Sequence, residues 1–265
     1  MKRFEGKVAI VTGAGCVGPG WGNGRATAVR LAEEGARVLA VDRDLDRLAE
    51  TLECAGEFRD SIRIAQCNVT DAKSIASMVA EAAKTFGRID VLVNNVGGSA
   101  HGGPVEMSED VFDAQVDHNL KSVFLTCKHV LPIMEKRRAG AIVNVSSTSA
   151  LRWTGSAQVA YAATKAGVIQ FSRVVAVQYA PMGIRVNCVV PGQLHTPMVE
   201  ARLADQRAGG NVEKLLRDRL ARIPLGFMGD GRDTAAAVAF LASDDARFIT
   251  GTEIVVDGGM IARTG

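Results

Sequence analysis

Short apolar runs alternate with longer amphipathic segments along most of the chain. Seven of these runs are rich in valine and isoleucine, and we predict them to be β-strands: residues 8–11, 37–42, 62–69, 90–95, 141–147, 184–192 and 252–259. Apolar residues are nearly continuous in them, so both faces of each strand should be buried. Burial on both faces is typical of a parallel sheet that helices cover on each side.

The segments between the strands have the periodicity of amphipathic helices. We predict helices over residues 25–34, 44–55, 72–86, 109–138 and 161–180. Gly35 and Gly87 stand where helices commonly end, and Asp71 is a suitable N-cap. Regular alternation of strand and helix predicts an α/β fold: one doubly wound, Rossmann-type domain over 1–265, with a mostly parallel sheet flanked by helices.

The segment from Thr196 to Asp230 interrupts this alternation. It contains two helical pieces around Gly209 and Gly210, with no strand between them. Ligands of doubly wound sheets bind beyond the carboxyl ends of the strands. We therefore predict that residues 196–228 form a helical lid over a substrate.

A glycine-rich stretch follows the first strand. Gly13-Ala-Gly-Cys-Val-Gly18 matches the pattern GxGxxG, but phosphate binding also needs the free N–H groups of a helix start. The residues after Gly18 contain too much glycine to propagate a helix, which favours a helix start near Gly24. We therefore expect residues 16–21 to be a surface insertion that the fold could lose. The predicted phosphate contacts are Gly13, Gly22, Asn23 and Gly24.

Asp42 ends the second predicted strand. An acidic residue about 20 residues beyond the glycine turn binds the ribose hydroxyls of NAD and repels the 2′-phosphate of NADP. The spacing predicts NAD as the cofactor. A helix cap or a solvated turn residue is the alternative role for Asp42, and the neighbouring Arg43 weakens the preference for NAD.

Composition and charge exclude several classes of protein. The formal net charge is +2, which gives no basic face for nucleic acid and no attraction to an anionic membrane. The five cysteines have no metal-ligand spacing, so we expect reduced thiols, no metal site and a cytoplasmic protein. The N-terminal apolar run is too short for a signal peptide, and no run approaches the ~20 residues of a membrane span.

Six sequence motifs resemble those of the short-chain dehydrogenase/reductase family, in the family's order and over nearly the whole chain. They are Thr12-Gly13…Gly22-Asn23-Gly24 with a longer turn, Asn94-Asn95-Val96-Gly97, Asn119, Ser147…Tyr161…Lys165, Pro191-Gly192…Thr196 and Val256-Asp257-Gly258-Gly259. The resemblance implies an NAD-dependent enzyme that interconverts a secondary alcohol and a ketone. It also implies a homotetramer, and the apolar stripe Val168, Phe171 and Val175 suits either an interface or the core.

The resemblance assigns roles to four residues. Tyr161 would be the general acid or base, and Lys165 would hold the nicotinamide ribose. Ser147 would bind the substrate oxygen. Asn119 would hold a water in a proton relay, and the alternative is a helix-interior asparagine whose side chain is bonded to the backbone. Tyr161 and Lys165 are four residues apart and so share one helix face. The ammonium would stabilise the phenolate. The spacing to Tyr161 leaves Ser146 and Ser149 open as alternatives to Ser147.

Further contacts follow from the same resemblance. Its other cofactor-binding residues would be Asn68, Val69, Asn95, Gly97, Pro191, Gly192, Leu194 and Thr196. Val69 could equally be a core residue, and Asn68 replaces the family's usual aspartate. The candidate substrate-binding residues are Ser147, Trp153, Gln158, His195 and Phe227.

Two other functions are compatible with the predicted fold. One is a non-catalytic NAD-binding sensor or scaffold, which the presence of both Tyr161 and Lys165 disfavours. The other is a lyase or epimerase that retains NAD, for which no additional acid–base pair is visible in the sequence.

Overall fold

A computed structural model describes residues 2–203 and 211–264 of the chain. Within them, seven parallel strands form one sheet, as the sequence predicts. The third strand ends earlier than predicted, so Asn68 and Val69 lie in the loop after it. The strands are Val8–Thr12 (β1), Arg37–Asp42 (β2), Ile62–Gln66 (β3), Val91–Asn94 (β4), Gly140–Val145 (β5), Ile184–Pro191 (β6) and Glu253–Val256 (β7).

Helices connect the strands, and their ends follow the expected capping rules. The Asp71 side chain accepts hydrogen bonds from two backbone amides of its helix, and Gly87 ends that helix at a φ of 72°. A π-helical turn, Asp117–Lys121, joins the fourth helix to the fifth. The helices are Asn23–Glu33 (α1), Leu45–Cys54 (α2), Ala72–Phe86 (α3), Glu109–Val116 (α4), Ser122–Arg137 (α5), Val159–Tyr179 (α6), Val212–Leu220 (α7) and Gly231–Ala242 (α8).

The sheet separates two hydrophobic cores. Helices α1, α2 and α8 cover one face, and α3, α5 and α6 cover the other. Val168 and Val175 of α6 are buried in the second core, and Phe171 packs against it. This stripe therefore belongs to the sheet core, which was one of its two alternative roles; the other was an interface between copies.

Helix α8 is absent from the sequence prediction. Alanines dominate it, so its apolar and polar faces contrast weakly, although Asp230 and Asp233 form a reciprocal capping box at its start. Small side chains let α8 pack closely against α1. The Gly231 amide also donates to the carbonyl of Trp21 at 3.3 Å.

The strand order is β3-β2-β1-β4-β5-β6-β7, so the chain turns in opposite directions on the two sides of β1. At the amino ends of the strands, the buried Asp90 carboxylate accepts the Val8 amide at 2.9 Å and pairs with Arg88 at 2.6 Å. At the carboxyl ends, β1 and β4 diverge into loops. The reversal leaves a crevice there, which is the usual ligand site of this architecture.

The predicted lid region holds a π-helical turn, Val199–Leu203, and helix α7. Val199 and Leu215 pack together in a small apolar cluster. The part of this region that the structure describes contains no strand, whereas Gly209 and Gly210 lie outside the described residues. None of the described helices is long and apolar enough to span a bilayer.

Candidate active site

A cleft of about 550 Å³ opens at the carboxyl edge of the sheet. Its size falls within the range of small-molecule and cofactor sites. Most of the residues that the sequence nominated line it: Gly13, Gly22, Asn23, Gly24, Asp42, Asn68, Val69, Asn95, Gly97, Ser147, Tyr161, Lys165, Pro191, Gly192, Leu194 and Thr196. Val69 is also buried in the core, so its position is compatible with both of its alternative roles.

The glycine turn brings the start of α1 to the cleft. Gly22 is the N-cap residue and makes no side-chain capping bond, which leaves the first amides of the helix to a ligand. A Cβ on Gly24 would collide with the carbonyl of Gly13. Gly18 instead lies beside Pro197, where a Cβ would be 3.5 Å from the proline ring.

Arg25 fixes the extended turn from beneath, although it is only 1% exposed. Its guanidinium donates to the carbonyl of Gly20 at 3.0 Å and to Thr51 Oγ1 at 3.2 Å. Thr51 donates in turn to the carbonyl of Ala14 at 2.8 Å. Trp21 packs against the core and lies under Arg232. These contacts brace residues 16–21 and pack Trp21 partly against the core, so this stretch is more than a free surface loop. That the fold would tolerate the loss of these residues stays a prediction.

Asp42 faces the same turn. Its carboxylate accepts hydrogen bonds from the Gly15 amide at 3.1 Å and the Asp44 amide at 3.3 Å. Arg43 and Arg47 also line this end of the cleft. Arg47 forms an ion pair with Asp44 at 2.9 Å, and this pair partly neutralises the positive charge of Arg47.

Tyr161 and Lys165 extend from the first turns of α6. Lys165 is 2% exposed, and its Nζ donates to the carbonyl of Val145 at 2.8 Å. The same Nζ lies 5.9 Å from the centre of the Tyr161 ring. Burial lowers the pKa of Lys165 to about 8, because a low-dielectric interior disfavours the charged form.

Three serines stand near the end of β5, and their hydrogen bonds differ. Ser146 Oγ donates to the carbonyl of Lys165 at 2.8 Å. Ser149 Oγ accepts from Gln158 Nε2 at 2.6 Å and lies 3.1 Å from Thr154 Oγ1. Ser147 Oγ accepts from the Ser149 amide at 3.2 Å, and this bond does not use its proton. The geometry therefore favours Ser147 as the hydroxyl that can donate to a ligand.

Asn119 lies behind the cleft, fully buried in the π-helical turn. Its side chain exchanges hydrogen bonds with the backbone of Gly98, accepting at 2.9 Å and donating at 3.1 Å. A Cβ on Gly97 would be 2.8 Å from Lys165 Nζ and 3.1 Å from Asn119 Oδ1. Gly97 therefore leaves the space in which Lys165 and Asn119 approach each other.

Four of the five candidate substrate residues do not line this cleft. Gln158 is buried and bonded to Ser149. Trp153 is 73% exposed and lines a separate pocket. His195 is exposed and contacts Glu200 at 3.1 Å, and Phe227 is 60% exposed. Long-range contacts set the paths of these loops, and local sequence does not reveal such contacts.

The cleft has further lining residues that sequence reasoning did not nominate. They are Cys16, Val17, Arg43, Arg47, Thr154, Gln193, Val199 and Arg219, among others. Several directly follow a strand, which is the one signal that could have found them. Within the described residues, no group of three His, Cys, Asp or Glu side chains could hold a metal ion.

Comparison with known proteins confirms the resemblance. A family model described as enoyl-(acyl carrier protein) reductase matches residues 19–261. The 3-oxoacyl-(acyl-carrier-protein) reductase FabG of Thermotoga maritima is 39% identical over 98% of this chain and 99% of its own length.

Solved structures agree with the sequence match. A Burkholderia xenovorans protein described as a short-chain dehydrogenase/reductase is 60% identical, with a TM-score of 0.96 and full coverage of both chains. Levodione reductase is 34% identical, with a TM-score of 0.92 over 98% of this chain and 100% of that one. The chain therefore belongs to the short-chain dehydrogenase/reductase family of oxidoreductases.

Proposed function

We propose that the protein transfers hydride between NAD(H) and a secondary alcohol or ketone. One observation carries the proposal: Ser147, Tyr161 and the buried Lys165 line the same cleft as the glycine turn and Asp42. A sensor or scaffold would not need a phenol beside a buried ammonium. A lyase or epimerase would need a further acid–base pair, for which we find no support in the sequence.

The described residues fit a dinucleotide. The uncapped start of α1 suits a pyrophosphate, and the absence of a side chain at Gly97 leaves room beside Lys165. When bound, the nicotinamide accepts or supplies the hydride. Asn95 would help to shape this site, since its Nδ2 donates to the carbonyl of Gly13 at 2.9 Å.

The chain's own groups would handle the proton. In the oxidation direction, the Tyr161 oxygen takes the proton of the alcohol, and in reduction it returns a proton to the carbonyl oxygen. The Lys165 ammonium stabilises the phenolate form. Ser147 donates a hydrogen bond to the substrate oxygen as charge develops on it. Asn119, which lies beside Lys165, is suited to position a water that passes protons onward.

Two named relatives suggest substrates to test. FabG is named as a 3-oxoacyl-(acyl-carrier-protein) reductase, and the other relative as levodione reductase. Both names describe reduction. A panel of ketones should therefore include a 3-oxoacyl thioester and levodione, beside aliphatic, aromatic and sugar ketones and the matching alcohols.

The decisive experiment follows NADH absorbance with wild type, Tyr161→Phe and Tyr179→Phe. Tyr179 is the only other tyrosine, and it packs against the core at the far end of α6. We expect Tyr161→Phe to lose roughly 10²–10⁴-fold in kcat, the usual contribution of a general acid or base. Tyr179→Phe should retain activity. Equal activity in all three proteins would refute the assigned role of Tyr161.

Cofactor preference is a separate prediction. Asp42 can accept hydrogen bonds from both ribose hydroxyls, whereas a 2′-phosphate would meet its negative charge. We expect wild type to have a higher kcat/KM with NAD than with NADP. Asp42→Asn should lower the NAD-to-NADP ratio of kcat/KM by about tenfold or more. Arg43 and Arg47 oppose this preference. Equal use of NADP and NAD by wild type would contradict the predicted preference and would show that the two arginines offset the charge of Asp42.

We also propose a homotetramer, as the family resemblance implies. Phe124 on α5 and Val174 and Val177 on α6 are 48%, 57% and 77% exposed, which supports an apolar contact between copies on these helices. Light scattering that gives a monomer mass at working concentration would contradict this proposal.

A further inference from the structure

A second pocket of about 450 Å³ adjoins the cleft. It lies between the loop after β5, the end of α7 and the C-terminal segment. Thr154 lines both the pocket and the cleft, so it forms a shared wall. We call it the arginine pocket, and its lining residues are Arg152, Trp153, Thr154, Gly155, Ala221, Arg222, Met260, Ile261 and Arg263.

Backbone carbonyls hold the three arginines in place. Arg152 donates to the carbonyls of Ile261 and Arg263, the latter at 2.9 Å. Arg222 donates to the Thr154 carbonyl at 2.8 Å, and Arg263 to the Ala221 carbonyl at 2.9 Å. These bonds orient the guanidinium groups without neutralising them.

The pocket therefore concentrates positive charge. In the part of the chain that the structure describes, none of the three arginines forms an ion pair with a carboxylate. Each guanidinium has five N–H donors, and the carbonyls above use two from Arg152 and one from each of the others. Most of the donors remain available for an anion.

The backbone leaves space for this arrangement. Gly155 has a φ of 86°, and a Cβ there would be 2.8 Å from the Arg222 guanidinium carbon. Both the backbone conformation and the close approach of Arg222 thus favour glycine. The opposite wall is also fixed, because Asp257 accepts the amides of Gly259 and Ile261, each at 2.8 Å.

We propose that the arginine pocket binds a carboxylate or phosphate group of the substrate while the reacting carbon lies at Tyr161. This inference rests on the proposed function. Thr154 lies between the two sites, and its position is fixed by Arg222 and by Gln193, which donates to the same carbonyl at 3.3 Å. Trp153, Met260 and Ile261 supply an apolar wall for the chain that joins the ketone to the anion. The substrate class is thus an oxo acid or a phosphorylated ketone with an apolar spacer.

A matched substrate series tests this assignment. Oxo acids of increasing chain length, each paired with its methyl ester, are reduced with NADH by wild type, Arg222→Gln, Arg152→Gln and Arg222→Lys. Arg59→Gln is the control, since Arg59 is an exposed arginine just before β3, at the opposite edge of the sheet. The measured quantity is the acid-to-ester ratio of kcat/KM, which cancels general losses of activity.

We expect wild type to favour the acid by roughly 10- to 100-fold at an optimal chain length, as charge-assisted bidentate recognition allows. The ratio should fall at least tenfold in Arg222→Gln and Arg152→Gln, recover partly in Arg222→Lys and stay unchanged in Arg59→Gln. A wild-type ratio near one at every chain length, or a ratio that neither glutamine variant alters, would overturn the proposal.

A binding measurement separates this proposal from the proposed function. The protein has two tryptophans, so the fluorescence change that Trp153→Phe abolishes reports on the pocket. Inorganic phosphate is the first probe. If phosphate binds but acid and ester are reduced equally, the pocket takes a separate anion and the substrate assignment fails. If no ketone is reduced, the proposed function fails. The pocket is then judged by binding alone. Tighter binding of oxo acids than of their esters would support the arginine pocket, and equal binding would overturn it.

Discussion

Lys165 shows how burial shapes a single residue of this site. Its ammonium is 2% exposed and donates to one backbone carbonyl, that of Val145. Burial lowers its pKa from 10.5 to about 8, so the unfolded chain binds the proton more tightly than the folded one does. Between about pH 8 and 10.5 the unfolded state holds more protons than the folded state. The contribution of this group therefore increases the free energy of unfolding as the pH rises. At neutral pH the buried charge therefore opposes folding.

Replacing this charge should stabilise the protein and abolish activity. The pKa shift corresponds to a penalty on the order of 3 kcal/mol, and Lys165→Met removes it at a cost of about 1 kcal/mol for the lost hydrogen bond. We expect the variant to be more stable than wild type by roughly 1–2 kcal/mol at pH 7, with the advantage disappearing by pH 10. Urea unfolding at both pH values measures this.

Lys128→Met is the control for that comparison, because Lys128 is exposed on α5. Its stability difference from wild type should not depend on pH. If the difference for Lys165→Met is also independent of pH, Lys165 is not a buried ammonium in the free protein.

At the scale of an element, the extended glycine turn depends on a helix for its shape. Arg25 in α1 binds the carbonyl of Gly20 and, through Thr51 of α2, that of Ala14. The turn is thus held at both ends by side chains from outside it. Its conformation before any ligand binds should therefore be close to the binding conformation, which lowers the entropic cost of binding.

Arg25→Met should loosen the turn and weaken the binding of NADH. Arg25 also forms an ion pair with Glu50 at 2.7 Å. We expect Kd for NADH to rise about tenfold and the free energy of unfolding to fall by about 2 kcal/mol, because Glu50 and the carbonyls lose their donor. Fluorescence titration at a temperature where circular dichroism shows both proteins folded measures the Kd. Arg30→Met on the same helix is the control, since Arg30 pairs with Glu34 away from the turn. An unchanged Kd in Arg25→Met would limit Arg25 to a purely structural role.

The elements themselves were largely predictable from the sequence. Strands with two buried faces are nearly continuous apolar runs, so all seven could be found. Helix α8 was missed because alanines make its faces alike, although its capping box at Asp230 and Asp233 was visible in the sequence. The cleft residues that directly follow strands could be nominated because topology alone places them together. Trp153 could not be placed, because contacts between residues far apart in the sequence fix its loop. Arg152 donates to the Arg263 carbonyl, and Arg222 donates to the carbonyl of Thr154.

At the scale of the whole molecule, β1 and β4 are linked by side-chain contacts at their amino ends and border an open crevice at their carboxyl ends. Asp90 closes the amino end through the Val8 amide, Arg88 and Arg137, with Arg137 at 3.6 Å. The carboxyl end holds the cleft. Stability and ligand binding thus rely on different residues of the same pair of strands.

Asp90→Asn tests this separation. Removing the charge leaves Arg88 and Arg137 without their shared partner, and we expect the free energy of unfolding to fall by about 2–3 kcal/mol. The Kd for NADH, measured where the variant is still folded, should stay within about twofold of wild type. A large loss of NADH affinity in the folded variant would show that the two ends of the crevice are coupled.

The strand order also determines how the sheet can form while the chain is being synthesised. On one side β1 pairs with β2, which follows it closely in the sequence. On the other side it pairs with β4, so Ala9 can pair only after Val91 has been synthesised. After β4, each new strand adds to the outer edge of the one before it. Until β4 emerges, one edge of β1 is an unpaired template for other chains. Nascent chains should therefore be most prone to misassociation between the synthesis of β1 and that of β4.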